Sequence, residues 1–414
     1  MDFSQIDGKR QFRFMETLNY VRAAGTKEEE KAADGIAAMA EKFSDGVKKE
    51  PFSFECRIAE QELLEVISPY SGRVPAAVYK NCGDTSATGV TAPLFYAENG
   101  DEISLRQSKG KIVMINGPVQ EKQYQQMMQK GAVGFISVSG SPADTGEARR
   151  PACRTIKHLA KEGIPGITIH YTDAVKLAES EAATVRLAVR QKKTVLYSQN
   201  VTAVIEGTTK KDEILTLTAH YDSVPQGPGA YDNLAGAAII MELCRYFSRN
   251  RPARTLQFIW FGAEEQGLKG SRAYVEQHLQ ELWAHQFNMN VDLAGQLIGG
   301  NVLGITGTAR TADWCRNLMK QAGKGCEVKN QVWSSDSNTF AWKGIPSMTL
   351  NRDGYGMHTC HDTMELISPW SLQRSAGLLG YLAETLANAE QFPLERKIPE
   401  EMQAELQNYF CRRT

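Results

Sequence analysis

Three segments decide the fold of this chain, and they read ILTLTAHYDSV (214–224), GPGAYDNLAGAA (227–238) and FIWFGAEEQGLKGSRAY (258–274). The apolar runs at 214–219 and 256–262 are short and rich in β-branched and aromatic residues, which is typical of buried parallel strands. The small and apolar residues at 233–247 favour a helix packed on the sheet. Because ligands of open α/β sheets bind beyond the carboxyl ends of the strands, these segments predict a site at that edge.

Side chains of the kinds that bind metals follow both strands. His220 and Asp222 come directly after the first strand, and Glu264 and Glu265 come after the second. Asp232 stands just before the helical segment between them. Each acid alone has an ordinary explanation, such as a helix N-cap at Asp232 or a solvated turn at the two glutamates. Their recurrence at successive strand ends favours a metal site.

Two further strand patterns end in the same way. FNMNVDLAG (287–295) brings Asp292 to the end of a third strand, and GIPSMTLNRDG (344–354) precedes His358. Amide hydrolysis can use two divalent metals about 3.5–4 Å apart, which requires a bridging carboxylate, two further ligands per metal and a general base. The chain supplies a matching set: His220, Asp232, Glu264, Glu265, Asp292 and His358.

Length and composition limit the class of protein. A chain of 414 residues with 42% hydrophobic residues and a formal net charge of −1 predicts one large or two moderate globular domains, without a charge excess suited to nucleic acid. The sequence shows neither a signal-peptide core nor an apolar run of about 18 residues, so we expect a cytoplasmic protein with no membrane partner. The eight cysteines are scattered without a CxxC pair, which predicts reduced and mostly buried thiols.

The rest of the chain divides by pattern. Residues 10–23 and 27–45 carry helical periodicity, the second with Thr26 as an N-cap, and neither helix suggests a catalytic role. The strand pattern at 198–206 could form a hairpin with 214–219. From there onward strands alternate with helices, which predicts a mostly parallel sheet covered by helices on both faces.

Two stretches remain to be placed. Residues 63–196 contain short strands divided by Gly, Pro and Asp turns, and they hold His158 and His170, which we expect to be structural or surface residues. His278 and His285, farther along, are also expected at the surface. A final helical pattern at 399–410 could dock on its own domain or on a partner.

Five motifs together resemble a known family, and they read HYDS, AYDNLAG, AEEQGLKGS, NVDLAG and HTCHDT. They are similar to those of the co-catalytic di-zinc exopeptidases, the family that includes aminopeptidase Y and glutamate carboxypeptidase II. The runs GKIVMINGP, YQQMMQKGAVGFISVSG and GIPGITIHYTDAVKL resemble a protease-associated (PA) domain. The resemblance implies an α/β peptidase domain at 1–60 and 197–414, with a mostly parallel mixed sheet sandwiched by helices. It also implies an inserted, β-rich α/β PA-like domain at 61–196.

The resemblance also implies a role for each ligand. His220 and Asp292 would bind the first metal, Glu265 and His358 the second, and Asp232 would bridge both. The cofactor would be two Zn²⁺ ions per chain, although such a ligand set also accepts Co²⁺ or Mn²⁺.

Two catalytic roles follow by the same resemblance. Glu264 would be the general base, and Asp222 would orient the imidazole of His220. Successive residues of a strand point to opposite sides, so Glu264 and Glu265 would have different roles if the strand continues through them.

Some assignments stay open at the level of sequence. His361 and Cys360 compete with His358 as the second histidine-type ligand, and Asp362 is expected to orient the local loop. Some family members have a tyrosine before the ligand histidine to stabilise the tetrahedral intermediate, but this chain has Met357 there. Tyr355 or Tyr231 would have to replace it. Asp336 is a weaker candidate for supporting the site.

These features predict a zinc-dependent aminopeptidase that hydrolyses N-terminal residues from short peptides, and a homo-oligomer stays open. A carboxypeptidase or dipeptidase of the same family is the alternative, and it would need cations such as Arg352 or Arg310 to bind a free carboxylate. A non-catalytic peptide- or protein-binding module is the third reading, but such a module has no need for Glu264.

Overall fold

The structure is a computed structural model that describes residues 5–156, 163–180 and 183–411. The chain forms two compact units, with divisions between Phe54 and Glu55 and between Val195 and Leu196. The flanking parts of the chain build the first unit, and the inserted part builds the second. The sequence-based domain assignment, with boundaries at 60/61 and 196/197, stays a prediction.

The α-helices within the described ranges are α1 (Gly8–Thr17), α2 (Lys27–Ala40), α3 (Glu121–Gln129), α4 (Tyr171–Glu179), α5 (Ala235–Arg249), α6 (Lys269–Gln277), α7 (Ala309–Gln321), α8 (Ser337–Trp342), α9 (Pro369–Asn388) and α10 (Glu400–Cys411). None of them combines the length and apolar character that a helix needs to cross a membrane.

The strands within the same ranges are β1 (Gly46–Ser68), β2 (Gly72–Val74), β3 (Ala76–Lys80), β4 (Val90–Tyr96), β5 (Ile112–Asn116), β6 (Gly134–Ser139), β7 (Arg154–Thr155), β8 (Gly166–His170), β9 (Thr184–Ile205), β10 (Lys210–His220), β11 (Arg254–Phe261), β12 (His285–Val291), β13 (Asn301–Thr306), β14 (Glu327–Asn330) and β15 (Ser347–Arg352).

The first unit is built on a mixed sheet in the order β14-β13-β15-β12-β10-β11-β9. Four neighbouring pairs are parallel, whereas β13 pairs with β15 and β9 with β11 in antiparallel fashion. The predicted mostly parallel sheet is therefore confirmed. The predicted hairpin between β9 and β10 is wrong, because the β10–α5–β11 crossover places β11 between them.

Both faces of this sheet are covered, as residues of β11 illustrate. Phe258 and Trp260 belong to the large apolar core that also contains residues of α5 and α9. Ile259 and Phe261 belong to a second apolar cluster with Tyr274 of α6 and with residues of α8. Alternation along the strand thus packs helices on both faces, which confirms the predicted sandwich.

The central strands carry polar side chains toward the α6 and α8 face. Thr216 and Thr218 of β10 are fully buried, and the Thr218 hydroxyl donates to Asn290 Oδ1 of β12 at 2.8 Å. Thr216 Oγ1 lies 2.7 Å from Nδ1 of His285, which is buried rather than at the surface as expected. Burial lowers the pKa of His285 to about 4. By the same alternation, His220 at the end of β10 projects to this polar face.

The N-terminal helices match the sequence pattern in part. Thr26 caps α2 as predicted, because its hydroxyl accepts from the backbone N–H of Glu29 at 3.2 Å. The helix ends at Ala40 rather than at residue 45. At the other end of the chain, α10 packs on α8 of its own unit, where the rings of Trp342 and Phe410 stack with centroids 4.6 Å apart.

The second unit has its own sheet and core. Its strands follow the order β4-β5-β6-β8-β3-β7, and the first part of β9 pairs with β4. His170 is buried here, with Nε2 3.1 Å from Asp144 Oδ2, in agreement with a structural role. His158 lies outside the described residues. The identification of this unit as a PA domain stays a prediction.

Three of the eight cysteines agree fully with the predicted buried thiols. Cys82, Cys244 and Cys315 are buried free thiols, and burial raises the pKa of each to about 12. Among the others, Cys411 is exposed and the rest are half-buried.

Candidate metal centre

Four parallel strand ends meet at one edge of the first unit's sheet. His220 is the last residue of β10, and Asp292 follows β12 directly. Glu264 and Glu265 come three and four residues after β11, and His358 lies in the loop after β15. The carboxyl ends of neighbouring parallel strands share one edge, so the topology brings these side chains together as the sequence predicts.

The side chains form two adjoining groups. His220 Nε2 lies 3.1 Å from Asp232 Oδ1 and 3.4 Å from Asp292 Oδ1. His358 Nε2 lies 3.0 Å from Asp232 Oδ2 and 3.1 Å from Glu265 Oε2. In each group, one ligand atom from every member lies within 4.8 Å of the others. Asp232 belongs to both groups and presents a different oxygen to each, as a bridging carboxylate must.

Asp232 is held by a carboxylate from another loop. It lies in a turn at Ala230–Leu234, and the peptide bond that follows it is cis. The backbone N–H groups of Tyr231 and Asp232 donate to the two oxygens of Asp362 at 2.6 and 2.9 Å. Asp362 therefore orients the turn that contains Asp232. The sequence predicts only that Asp362 orients its own local loop.

Asp292 is held by two side chains that sequence reasoning missed. Asn233 donates from Nδ2 to the carbonyl of Val291 at 2.8 Å and accepts from the N–H of Leu293 at 3.3 Å. The Ser335 hydroxyl donates to Asp292 Oδ2 at 2.5 Å. The sequence signals were present but weak: Asn233 follows the bridging aspartate, and Ser335 precedes Asp336 in a polar run.

The two glutamates lie in a turn and not on a strand. β11 ends at Phe261, so strand alternation does not set their directions. Instead, the carboxylate of Asp222 accepts from the backbone N–H groups of Glu264 and Glu265 at 3.0 and 3.1 Å. Asp222 Oδ1 also lies 3.3 Å from His220 Nδ1, although the two atoms are not aligned for a hydrogen bond. Asp222 thus contacts His220 and fixes the glutamate turn.

Burial and neighbouring charges shift the pKa values of several side chains at the centre. Burial raises the pKa of Glu264 well above its usual value, against the charge of His220 and with the help of the surrounding acids. Burial and the charge of Asp232 raise the pKa of Glu265 to about 7. Burial opposes the charged form of His220, yet contacts with its carboxylate neighbours raise the pKa of that imidazole well above its usual value. Such a site stabilises added positive charge.

The donor set fits a pair of divalent metals. Histidine nitrogens and carboxylate oxygens are the ligands of catalytic zinc sites, and they also accept Co²⁺ or Mn²⁺. Glu265 Oε1 is a buried atom without a hydrogen-bond partner, although Oε2 contacts His358. An unsatisfied buried carboxylate oxygen is unfavourable, and coordination to a cation would satisfy it.

Other candidates lie outside the two groups. His361 and Cys360 belong to neither group, whereas His358 belongs to the second. The buried hydroxyl of Tyr231 donates to the carbonyl of Arg352, which engages its proton. Tyr355 is 65% exposed, which leaves it accessible to a substrate.

Both cations proposed for carboxylate binding contact partners outside the two ligand groups. Arg352 is buried, and its guanidinium donates to the carbonyls of Gln296 and Leu297 at 2.6 and 2.8 Å. Arg310 is 78% exposed on α7 and pairs with Glu395 at 3.1 Å. Both guanidinium groups are thus engaged by partners that belong to neither ligand group.

Asp336 lies next to the site without joining either group. It is fully buried immediately before α8, and burial raises its pKa to about 7, against the charge of His220. Its charge in turn helps to raise the pKa of Glu264. This position agrees with the supporting role suggested by the sequence, which stays a prediction.

The part of the chain that contains the ligand candidates matches a known protein family. Residues 200–383 match the model of a family described as Peptidase family M28. Aminopeptidase YwaD of Bacillus subtilis (strain 168) is 29% identical over 415 residues, covering 94% of this chain and 86% of that protein. Carboxypeptidase Q of Homo sapiens is 25% identical over 420 residues, covering 93% of this chain and 88% of that protein.

Solved structures resemble the chain in the same way. The structure of BSAP, a zinc aminopeptidase from Bacillus subtilis, matches with a TM-score of 0.78 and 25% identity, covering 96% of this chain and 99% of that one. An aminopeptidase from Aneurinibacillus sp. strain AM-1 matches with a TM-score of 0.72 and 23% identity, covering 95% of this chain and 97% of that one, and it shares the fold. All five ligand candidates lie inside residues 200–383, the segment that matches the family model.

Proposed function

We propose that this chain, in which residues 200–383 match Peptidase family M28, is a zinc-dependent aminopeptidase that removes N-terminal residues from short peptides. One observation carries the proposal. Two ligand groups share Asp232, and a glutamate that belongs to neither group, Glu264, stands beside them. That arrangement has the parts that two-metal amide hydrolysis requires.

Each group would hold one ion. His220 and Asp292 would bind the first zinc, Glu265 and His358 the second, and Asp232 would bridge them with its two oxygens. When bound, two zinc ions polarise the scissile carbonyl and lower the pKa of an attacking water.

Glu264 would move the proton. It accepts a proton from the water whose oxygen joins the carbonyl carbon, and it delivers that proton to the leaving amine as the C–N bond breaks. A carboxylate placed beside the attacking water can both accept and return a proton, which is the role of a general acid–base group. Asp222 would keep Glu264 in position, because its carboxylate accepts hydrogen bonds from the backbone N–H groups of Glu264 and Glu265.

The choice of an aminopeptidase rests on the similarity to aminopeptidase YwaD, which extends over 94% of this chain. The two arginines considered for binding a free carboxylate, Arg352 and Arg310, are engaged elsewhere. The alternative is a carboxypeptidase or dipeptidase, supported by the similarity to carboxypeptidase Q.

A matched pair of substrates separates these alternatives. We expect the zinc-loaded protein to hydrolyse a chromogenic amide with a free amino group and to leave the N-acetylated form of the same amide uncleaved. A peptide with a blocked amino end and a free carboxylate should also remain intact. Cleavage of the blocked peptide alone would favour a carboxypeptidase, and cleavage of none of them by a zinc-loaded protein would favour a binding module.

Three further features remain predictions from the sequence. They are the cytoplasmic location, the PA-like character of residues 61–196 and a homo-oligomeric state. Peptide substrates are expected, because the similar proteins are an aminopeptidase and a carboxypeptidase.

A further inference from the structure

The N-terminal segment reaches the metal centre, although its sequence suggests no catalytic role. Arg22 follows α1 and is fully buried. Its Nε donates to the carbonyl of Tyr221 at 2.7 Å, and its Nη1 donates to the carbonyl of Pro228 at 2.7 Å. Nη2 lies 3.3 Å from the carbonyl of Gly229, to which it also donates. One planar guanidinium therefore joins the two ends of the loop between β10 and the turn at Ala230–Leu234.

Ligand candidates adjoin both ends of this loop. Tyr221 is the residue between His220 and Asp222, and Gly229 immediately precedes the turn that contains Asp232. Backbone bonds reinforce the link, because the N–H of Arg22 donates to the hydroxyl of Ser223 at 2.9 Å and its carbonyl accepts from the N–H of Ser223 at 3.2 Å.

Glu29 supports the turn that carries Glu264 and Glu265. Its Oε1 accepts from the backbone N–H of Ala263 at 3.2 Å and from the Ser198 hydroxyl at 2.7 Å. Its Oε2 accepts from the N–H of Gly25 at 2.6 Å. Ala263 has a positive φ of 53° and directly precedes Glu264. A non-glycine residue in this conformation needs support from its surroundings, and the buried carboxylate provides a fixed acceptor.

The backbone approaches Glu29 closely at Gly262. A Cβ added at Gly262 would lie 2.8 Å from Glu29 Oε1 and 2.4 Å from the Ser198 hydroxyl. The glycine therefore allows the end of β11 to approach the carboxylate closely. Glu29 is 2% exposed, so its carboxylate lies in the protein interior.

We infer that residues 22–29, here called the N-terminal bracket, position the metal centre. Arg22 fixes the two ends of the loop that joins His220 to the turn containing Asp232, and Glu29 fixes the turn from which Glu264 and Glu265 project. Both are positioning residues that act through backbone carbonyl and N–H groups without touching a ligand atom. The inference rests on the proposed function because it takes these side chains as ligands and base. Outer residues of this kind change metal affinity when they are replaced.

The test compares two buried arginines. Arg22→Lys keeps the charge, but a single ammonium cannot reproduce the fork that joins the two ends of the loop. Arg245→Lys is the matched control, because Arg245 is also buried and contacts the N-terminal segment, donating to Glu242 at 2.8 Å and to the carbonyl of Gln5. Glu29→Gln is the second variant, since it keeps the shape of the side chain but loses one acceptor oxygen.

Three quantities are measured on the full chain. They are the urea midpoint of the metal-free protein, the zinc dissociation constant by competition with a chelator, and the visible absorption spectrum of the Co²⁺-loaded protein. We expect Arg22→Lys and Glu29→Gln to weaken zinc binding about 10–100-fold and to change the Co²⁺ spectrum. Arg245→Lys should lower the urea midpoint while leaving zinc affinity and the Co²⁺ spectrum unchanged.

Specific results would overturn the inference. Wild-type zinc affinity and spectrum in a folded Arg22→Lys or Glu29→Gln protein would do so, and so would an equal loss of zinc affinity in Arg245→Lys. If Arg22→Lys fails to fold, Glu29→Gln decides. Failure of the unmodified protein to bind Co²⁺ or zinc would instead overturn the proposed function itself, and the inference with it.

Discussion

Replacing Glu264 with glutamine is expected to lower kcat for a free-amino amide by about 10²–10⁴-fold, the usual contribution of a general acid–base group. The amide side chain has nearly the same shape but cannot accept the proton of the attacking water. Glu264 belongs to neither ligand group, so the variant should keep the zinc content of the unmodified protein. Steady-state kinetics and metal analysis on the same preparation measure both effects.

Glu265→Gln is the control for this prediction. Glu265 lies in the same turn, but its Oε2 is 3.1 Å from His358 Nε2 in the second group. Its replacement should therefore reduce the zinc content together with activity. Near-normal turnover in the zinc-loaded Glu264→Gln protein would show that another group moves the proton.

Replacing Asp232 with asparagine is expected to have the largest effect on the metals. The two oxygens of Asp232 face different imidazoles, at 3.1 Å from His220 Nε2 and 3.0 Å from His358 Nε2. Asparagine offers only one oxygen, and its NH₂ group would point toward the other metal position. We expect the zinc content to fall to one ion per chain or fewer. Zinc affinity should fall more than about 100-fold, which exceeds the effect of replacing a residue that only supports a ligand.

Asp313→Asn is the matched control for the Asp232 variant. Asp313 is an exposed carboxylate on α7 that pairs with Arg316 and lies outside both groups, so its replacement should leave zinc content and kinetics unchanged. Metal analysis after dialysis and titration with a chelator measure the difference. An Asp232→Asn protein that keeps two tightly bound zinc ions would contradict the bridging assignment.

The ligand candidates could be identified from the sequence because each depends on local pattern. Parallel strands end at one edge, and an acid or imidazole directly after such a strand is visible in a single sequence. Asp292 after β12 and His220 at the end of β10 are examples. The five motifs then gave their order, and the structure brings all five ligand candidates into two adjoining groups.

The supporting contacts could not be predicted in this way, because they join residues far apart in the chain. Arg22 and Tyr221 are separated by 199 positions, and Glu29 and Ala263 by 234. No periodicity or spacing links such pairs. The same reason explains the error over His285, whose partner Thr216 lies on another strand and is brought near it only by the order of the sheet.

Zinc titration of the metal-free protein, followed by hydrolysis of a free-amino amide, tests the central claim most directly. The claim is that two ions held by the groups that share Asp232 act together. We predict that activity appears mainly as the second ion binds and reaches its maximum at two zinc ions per chain. Full activity at one ion per chain, or activity that is unchanged in the thoroughly metal-free protein, would contradict the account.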